Sequence, residues 1–423
     1  MFRFEDLVAR LPEAPSRDAK APLALQGIRV IDFTHFIAGP FATMMLADFG
    51  ADVIKIEAPG SGDDFRRYPP TDPAMPAQGA PFFFANRNKR SVALDLKQPC
   101  AQDTARALIA QADVVVENFS TGVMARLGLD AATCRALNPG LVYCSIPAYA
   151  RDGALADRPG FDPVVQAESG YISMNGYADR DGVRSLSPVM DMGTSLITCS
   201  TILAALMARH GTGQGQYCEV ALFDSAIAML AYAPLQYLFA GMAPQRNGNI
   251  SPDTSPSGVF DCSDGSFYIN CGNDRIFGRL ATDVLGMPAL LEDPRFRTPA
   301  ERVRHRDALL AALTAEFVRQ PWSHWQPRLR AASVPSGQVR TLPQALASRE
   351  VAERGLLTRI PHPVAGWIPN ITPASRLAAT PVADPRPAPA VGQHTEEVLR
   401  ELLGHDDAHL AALRSGGAFG QTT

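Results

Sequence analysis

The sequence has neither an excess of charge of one sign nor a long apolar run. Its 39 Lys and Arg residues and 43 Asp and Glu residues give a formal net charge of −4 at pH 7, so the chain has no basic field that would attract nucleic acid or anionic lipid. No run approaches the roughly 18 consecutive apolar residues that a membrane-spanning helix needs, and the nearest, residues 200–208, contains Thr201. These absences predict a protein that binds neither nucleic acid nor membranes.

Cysteine is scarce and follows no pattern. The chain has seven Cys residues and no Cys-x-x-Cys pair, which argues against a disulfide framework and a structural zinc site and for a reducing compartment. The N-terminus lacks the basic-then-apolar order of a secretory signal. We therefore predict a cytoplasmic location.

The short motifs of several common catalytic classes are also missing. The eight His residues form no HExxH motif, and the chain contains no GxSxG elbow and no GxxxxGK[ST] phosphate loop. Zincins, serine hydrolases and P-loop enzymes depend on these motifs. We expect no metal ion and no permanently bound cofactor.

Alternating strands and helices occupy the first half of the chain. Val- and Ile-rich segments at residues 27–33, 52–57, 91–96, 113–118 and 140–146 are predicted strands, and the apolar spacing of residues 40–49 and 100–111 predicts helices. Such alternation is typical of a doubly wound α/β sheet with parallel strands. The fold class predicted for this half is therefore α/β and Rossmann-like.

The first strand–helix turn does not carry the dinucleotide fingerprint of such sheets. It reads Thr34-His-Phe-Ile-Ala-Gly-Pro40, with one Gly where a pyrophosphate site needs several. His35 in this turn is a candidate base or ligand, although a lone histidine is more often a partly buried residue bonded to the backbone.

Composition divides the chain into five parts. A polar, Pro-rich start predicts a loosely attached arm, a stretch rich in Pro, Asn, Gly and Ser predicts a linker, and a hairpin followed by amphipathic helices predicts a smaller α+β domain. The predicted parts are an arm at 1–24, the first part of the large domain at 25–225, a linker at 226–256, the small domain at 257–335 and a return segment at 336–423.

An ordered series of unusual motifs carries a family resemblance. It includes Ala38-Gly-Pro40, Leu46-Ala-Asp-Phe-Gly-Ala-Asp-Val-Ile-Lys-Ile-Glu57, Pro59-Gly-Ser-Gly-Asp63, Asn86-Arg-Asn-Lys-Arg-Ser91, Glu117-Asn-Phe119, Gly160-Phe-Asp162, Thr212-Gly-Gln-Gly215, Gly272-Asn-Asp274 and Gly392-Gln-His-Thr395. In these motifs the chain resembles the class III CoA-transferases, the family of formyl-CoA transferase and carnitine CoA-transferase. The related 2-methylacyl-CoA racemases share their fold.

The resemblance implies an interlocked homodimer in which the C-terminal segment completes the Rossmann-like large domain. It also implies that an acyl-CoA thioester is a substrate, with CoA lying on the large domain and moving to a free carboxylic acid. Basic groups of the loop before residue 91 would meet the adenosine phosphates, although a solvated basic turn is the alternative reading. The CoA-binding candidates are Asn86, Lys89, Arg90, Glu57, Asn118 and Phe119.

The resemblance also implies a nucleophilic aspartate three residues beyond a glycine that follows a Gln…Ser-Gly segment. Gln166 and Gly176 keep this spacing and place Asp179 in the role, while Asp181 is the rival because a glycine follows it. A carboxylate is ionised at neutral pH but is a weak nucleophile unless it is held against the carbonyl with solvent excluded. Attack on the thioester would give an aspartyl mixed anhydride and later an aspartyl-CoA thioester.

Two other functions remain as alternatives. A racemase needs two acid–base groups flanking the α-carbon; Asp162 matches the racemase aspartate, but the histidine partner has no counterpart near Tyr149. Tyr149 itself is the residue that carries over from a segment that reads Gly-Tyr-Gly in the family and Pro147-Ala-Tyr-Ala150 here. A non-catalytic CoA-binding scaffold would have no need of Asp179.

The sequence indicates the type of reaction more clearly than it indicates which acids donate and accept CoA. Arg184 and Arg151 lie near the catalytic segments in sequence, and a guanidinium pairs well with a carboxylate. Either could bind the distal carboxylate of a dicarboxylic acid such as succinate, although a surface charge is the commoner role of an arginine.

Overall fold

A six-stranded parallel sheet organises the large domain of the computed structural model, which describes residues 4–75 and 77–420. The strands are β1 (Arg29–Asp32), β2 (Asp52–Glu57), β3 (Arg90–Ala93), β4 (Val114–Glu117), β5 (Val142–Ser145) and β6 (Tyr217–Glu219), in the order β3-β2-β1-β4-β5-β6. Ile31 of β1 pairs with Ile54 of β2 on one side and with Val115 of β4 on the other. The prediction of a doubly wound parallel sheet is confirmed.

Both faces of the sheet are buried because helices cover each of them. Ile31 and Val115 belong to the core on one face, with Leu108 of the Pro99–Ala110 helix. Val30 and Val114 belong to the core on the other face. Strands buried on both sides read as nearly continuous Val and Ile runs, which explains why the sequence revealed them.

The helices of this part vary widely in length. They are Phe4–Ala9, Ala38–Asp48, Ala80–Asn86, Pro99–Ala110, Val123–Arg126, Ala131–Leu137, Asp162–Glu168, Tyr171–Met174, Val189–Thr212, Leu222–Met229 and Ala233–Ala240, with a 3₁₀ turn at Asp64–Arg67.

One helix between residues 4 and 420, Val189–Thr212, is by itself long and apolar enough to cross a membrane. The helices Leu222–Met229 and Ala233–Ala240, which meet at an angle of 71°, are long and apolar enough only when they are taken together. Half of the most apolar 18-residue window of Val189–Thr212 is buried inside the protein. Ile202 and Ala205 of this helix join the sheet core. These contacts are typical of a core helix.

The small domain has a sheet and a core of its own. Strands β7 (Ser257–Cys262), β8 (Gly265–Asn270) and β9 (Ser336–Gln338) are antiparallel in the order β7-β8-β9. Phe267 and Phe317 are buried in the core between this sheet and its helices. Strand β9 lies just beyond the predicted boundary at residue 335. The helices are Asp274–Arg279, Ala289–Glu292, Pro299–Arg304, Arg306–Phe317 and Trp322–Ala331, with a π-helical turn at Leu280–Val284.

The return segment leads back to the large sheet. It contains helices Leu342–Leu346 and Arg349–Glu353, the hairpin of β10 (Leu357–His362) and β11 (Gly366–Ile371), and helices Thr395–Leu403 and Asp407–Ser415. Val398 and Leu399 lie in the same core cluster as Ile31. The C-terminal segment therefore completes the core of the large domain.

The N-terminal arm is attached to this return segment. The Arg359 backbone N–H donates to the Pro12 carbonyl at 2.8 Å, and the Ala14 N–H donates to the Arg359 carbonyl at 3.0 Å. The sequence did not indicate this hairpin, whose strands carry Pro361 and Pro369.

Candidate functional site

The strand order reverses between β1 and β4, and the carboxyl ends of these strands meet in the crevice where such sheets bind their ligands. The side chain of Asn118 accepts from the His35 N–H and donates to the His35 carbonyl, both at 2.9 Å. The Phe119 ring lies 5.2 Å from the His35 ring. The structure therefore brings three predicted site residues together, and all three are partly exposed.

The buried carboxylate of Asp63 lies next to the His35 ring. Asp63 Oδ1 lies 3.8 Å from His35 Nδ1, and Asp63 Oδ2 lies 3.1 Å from the buried Lys55 ammonium. Burial opposes ionisation of Asp63, but Lys55 and His35 outweigh it and hold the pKa of that carboxyl well below its usual range. The His35 ring is thus paired with a carboxylate, while the Asn118 side chain holds the His35 backbone.

Lys89 lies inside the large domain. Its side chain is fully buried, and the ammonium donates to Asp32 Oδ2, Asn86 Oδ1 and the Pro40 carbonyl, each at 2.9 Å. Burial lowers the pKa of Lys89 to about 8, even though the Asp32 carboxylate favours the charged form.

The other candidates of this region also have partners within the chain. Arg90 bonds both oxygens of Asp52 and reaches Glu401 at 2.6 Å. Glu57 pairs with the buried Arg66 at 2.6 Å. The alternative reading of a solvated basic turn is wrong, because Asn86, Lys89 and Arg90 are all buried. A CoA phosphate would have to compete with these internal pairs.

Asp162 ties two helices together. It is 4% exposed and begins the Asp162–Glu168 helix. Its Oδ2 accepts from the backbone N–H of Met190 at 2.8 Å and of Asp191 at 3.2 Å, and its Oδ1 accepts from the Gln166 amide at 2.5 Å. The Gln166 side-chain oxygen Oε1 accepts from the Ser185 N–H at 2.8 Å. Both oxygens of Asp162 therefore already accept hydrogen bonds within the protein, which disfavours a role in removing a proton from a substrate.

Tyr149 lies next to this helix. Its hydroxyl donates to Glu168 at 2.5 Å, and the Arg158 guanidinium lies 4.8 Å from the centre of its ring. Tyr149 is 5% exposed, so its hydroxyl is held inside the protein by Glu168 of the same helix as Asp162.

Asp179 and Asp181 lie on an exposed loop between the Tyr171–Met174 helix and the long helix that begins at Val189. Asn175 closes the base of the loop by accepting from the Val183 N–H and donating its side-chain amide to the Val183 carbonyl, both at 2.9 Å. Among the described residues, neither carboxylate accepts a side-chain hydrogen bond. Both candidates are therefore open to an approaching thioester.

The two arginines predicted to bind a distal carboxylate differ in availability. Arg151 bonds both oxygens of Glu117 at 2.9 Å and the Ser145 hydroxyl at 2.6 Å, so its charge is neutralised internally. Arg184 is exposed, and within the described part of the chain its guanidinium makes one long contact of 3.4 Å, to the Ser185 carbonyl. Arg184 is therefore the more accessible of the two.

Sequence reasoning missed Asp63 and Asp191 as members of the site. Asp63 closes the Pro59-Gly-Ser-Gly-Asp63 motif, so the motif was a signal for it. Asp191 had no signal, because its environment depends on Asp162, which is 29 positions away. Burial and the Asp162 charge raise the pKa of Asp191 to about 7.

Asp191 makes stability depend on pH. Because its folded pKa is raised, the folded protein retains a proton that the unfolded chain releases between about pH 4 and 7, so its contribution to stability falls as pH rises through this window. Asp191→Asn mimics the protonated form. We expect this variant to be about 2 kcal/mol more stable than the parent at pH 8 and nearly equal to it at pH 4.

Urea unfolding of both proteins at pH 4, 6 and 8 measures this difference. Asp157→Asn, at an exposed carboxyl, is the control and should follow the parent at every pH. An Asp191→Asn protein with the parent's full pH dependence would contradict the assignment.

Comparisons with known proteins agree on one family. The sequence profile described as CoA-transferase family III matches residues 25–395. The chain is 33% identical over 407 residues to a succinyl-CoA:glutarate CoA-transferase of Mus musculus, with 96% of this chain and 93% of that protein covered. It is 36% identical over 396 residues to a succinate–glutarate CoA-transferase of Agrobacterium fabrum, with 93% and 98% covered.

A solved structure agrees with the sequence relatives. A CAIB/BAIF family protein from Brucella suis superimposes with a TM-score of 0.80 at 34% identity, covering 90% of this chain and 100% of that one. The likeness extends over both domains and the return segment.

Proposed function

This chain belongs to CoA-transferase family III, and on that premise we propose that it moves CoA from succinyl-CoA to a second carboxylic acid through covalent intermediates on Asp179. The observation that carries the proposal is the position of Asp179. It is an exposed carboxylate on a loop whose later part, at Ser185, is bonded to Gln166, which in turn is bonded to Asp162. The prediction of a class III CoA-transferase is confirmed by the family match and by relatives named as CoA-transferases.

The reaction follows from a carboxylate attacking a thioester. An Asp179 oxygen attacks the acyl carbon and the C–S bond breaks, which leaves an aspartyl anhydride and the CoA thiolate. The thiolate then attacks the Asp179 carbonyl carbon, which releases the donor acid and forms an aspartyl-CoA thioester. The acceptor carboxylate next attacks the carbonyl carbon of the aspartyl-CoA thioester, which releases the CoA thiolate and forms a second aspartyl anhydride. The thiolate then attacks the acceptor's acyl carbon in this anhydride, which forms the new acyl-CoA and regenerates the Asp179 carboxylate. Protons and charges balance without ATP or a metal ion.

Asn118 and Phe119 support CoA binding at the switch point. They are partly exposed at the carboxyl end of β4, whereas Asn86, Lys89, Arg90 and Glu57 are buried. Asn118 and Phe119 are therefore the predicted CoA contacts that a ligand reaches without breaking internal ion pairs.

Succinyl-CoA is proposed as donor because two relatives are named for succinate and glutarate. Both acids are dicarboxylates, so one carboxylate of each is free to bind a cation while the other carries CoA. Arg184, two residues from Gly182 of the nucleophile loop, has an exposed guanidinium that makes no ion pair among the described residues. We assign it to that distal carboxylate.

The experiment is a transfer screen. Succinyl-CoA and acetyl-CoA are offered as donors against glutarate, succinate, oxalate, formate and acetate, and the CoA esters are identified by mass spectrometry. We expect succinyl-CoA with glutarate to be the best pair. Preference for monocarboxylic acids would contradict the dicarboxylate assignment, and deuterium at the acyl α-carbon in heavy water without any transfer would favour the racemase.

A homodimer is part of the proposal. The Ala233–Ala240 helix has no buried residue, and Leu235, Leu238 and Phe239 are 67%, 77% and 96% exposed. Exposed apolar helices of this kind usually mark a protein–protein interface. A second copy of the chain, interlocked as the resemblance implies, would bury these side chains. Light scattering at micromolar concentration is expected to give twice the chain mass of 45.4 kDa. A folded, active monomer would contradict the proposal.

A further inference from the structure

Residues 246–249, in the irregular segment between the Ala233–Ala240 helix and β7 and here called the clasp, lie against the loop that carries Asp179. Arg246 Nε donates to the Tyr177 carbonyl and its Nη1 donates to the Ser173 carbonyl, both at 3.2 Å. The Gly248 N–H donates to the Gly176 carbonyl at 2.8 Å. Three carbonyls on the N-terminal side of the loop are thus held by a segment about 70 positions further along the chain.

Side-chain packing makes the same contact specific. The Asn249 amide donates to the Tyr177 hydroxyl at 3.0 Å. Gly248 has φ +58°, and a Cβ atom there would lie 2.5 Å from the Tyr177 ring. The clasp therefore requires glycine at this position for both its backbone conformation and its close approach to the ring.

The clasp is also bonded to the small domain. The Val259 N–H donates to the Asn249 carbonyl at 3.2 Å, and two residues beyond the clasp the Ser251 N–H donates to the Ser257 carbonyl at 2.9 Å. Ser257 and Val259 belong to β7. The clasp therefore connects the nucleophile loop on one side to the sheet of the small domain on the other.

We propose that Arg246 is a positioning residue, which sets the place of Asp179 by tying the nucleophile loop to the small domain through the clasp. The inference rests on the proposed role of Asp179. Both carbonyl contacts of Arg246 are made to the backbone, so they fix the path of the loop independently of its side chains. A covalent catalyst is sensitive to such placement, since a misplacement of about 1 Å costs on the order of 100-fold in rate.

Three variants test the proposal. Arg246→Ala removes both carbonyl contacts, Arg246→Lys keeps the charge but has a single donor group in place of the planar fork, and Gln245→Ala is the control. Gln245 is exposed, and its amide contacts the Ala243 carbonyl of its own segment. The readouts are kcat and KM for acyl-CoA, the melting temperature, and the rate at which hydroxylamine-sensitive label appears on Asp179.

For Arg246→Ala we expect kcat and the labelling rate to fall together by about 10- to 100-fold, with KM within about twofold of the parent and the melting temperature unchanged. Arg246→Lys should recover part of the loss, and Gln245→Ala should match the parent. A kcat within twofold of the parent in Arg246→Ala would overturn the proposal, as would a fall in kcat that only tracks loss of folded protein.

A double-mutant cycle provides a second test. Gly248→Ala should lower kcat because the new methyl group displaces the Tyr177 ring, and part of this loss should disappear in a Tyr177→Ala background. Strictly additive effects would count against the clasp. Absence of label on Asp179 in the parent enzyme would refute the proposed nucleophile instead, and the kcat comparison would still decide the role of Arg246.

Discussion

Asp179→Ala is expected to abolish CoA transfer, with a loss of at least about 1,000-fold in kcat, while CoA still binds. Removal of a covalent nucleophile deletes the reaction path and does not merely weaken one contact. Because Asp179 is exposed and accepts no hydrogen bond among the described side chains, its replacement should leave the melting temperature unchanged. Steady-state transfer assays, calorimetric CoA binding and thermal unfolding measure the three quantities.

Asp181→Ala is the matched control, since it removes the same group two positions away in the same loop. It should retain most of the activity. Asp162→Ala should lie between the two variants, because it leaves the Met190 and Asp191 N–H groups without their acceptor. Peptide mapping after an acyl-CoA and hydroxylamine quench decides the assignment independently, and a mass shift on Asp181 would show that the nucleophile was misplaced.

Lys89→Ala is expected to destabilise the fold by about 3–5 kcal/mol, since it leaves the fully buried Asp32 carboxylate without the Lys89 ammonium. Urea unfolding measures the loss. Arg67→Ala is the control, because the Arg67–Asp64 pair is exposed and such pairs are worth about 0–1 kcal/mol.

Measuring CoA affinity distinguishes the internal ion-pair role of Lys89 from the phosphate-binding role that the family resemblance implies for the same loop. Calorimetry on Lys89→Ala and Arg90→Ala proteins, under conditions in which both are folded, should show whether either residue contacts the phosphates. Full stability together with a clear loss of CoA affinity in Lys89→Ala would contradict the internal role and support a direct CoA contact.

The regular elements could be predicted from the sequence because local patterns determine them. Strand β2 was predicted at residues 52–57 and is found at Asp52–Glu57, and the helix predicted at residues 100–111 is found at Pro99–Ala110. In each, the apolar period and the flanking residues are visible within about ten positions.

The environments of the charged residues could not be predicted in the same way. Lys89 finds its counter-ion 57 positions away, and Arg246 finds the Tyr177 carbonyl 69 positions away. A basic run such as residues 86–90 reads as solvent-exposed when neighbours alone are considered. Whether a charge is exposed or paired inside the protein depends on which strands the topology places side by side, and local periodicity does not encode this.

The split of the large domain has a consequence for the time at which the chain can fold during synthesis. The Ala93 N–H donates to the Thr395 hydroxyl, 302 positions away, and Val398 completes the core under β1. A ribosome that has made the first half has therefore not yet supplied part of the core to which that half must fold. Such distant contacts slow folding and prolong the exposure of apolar strands, so we expect the large domain to complete its core only when translation is nearly finished.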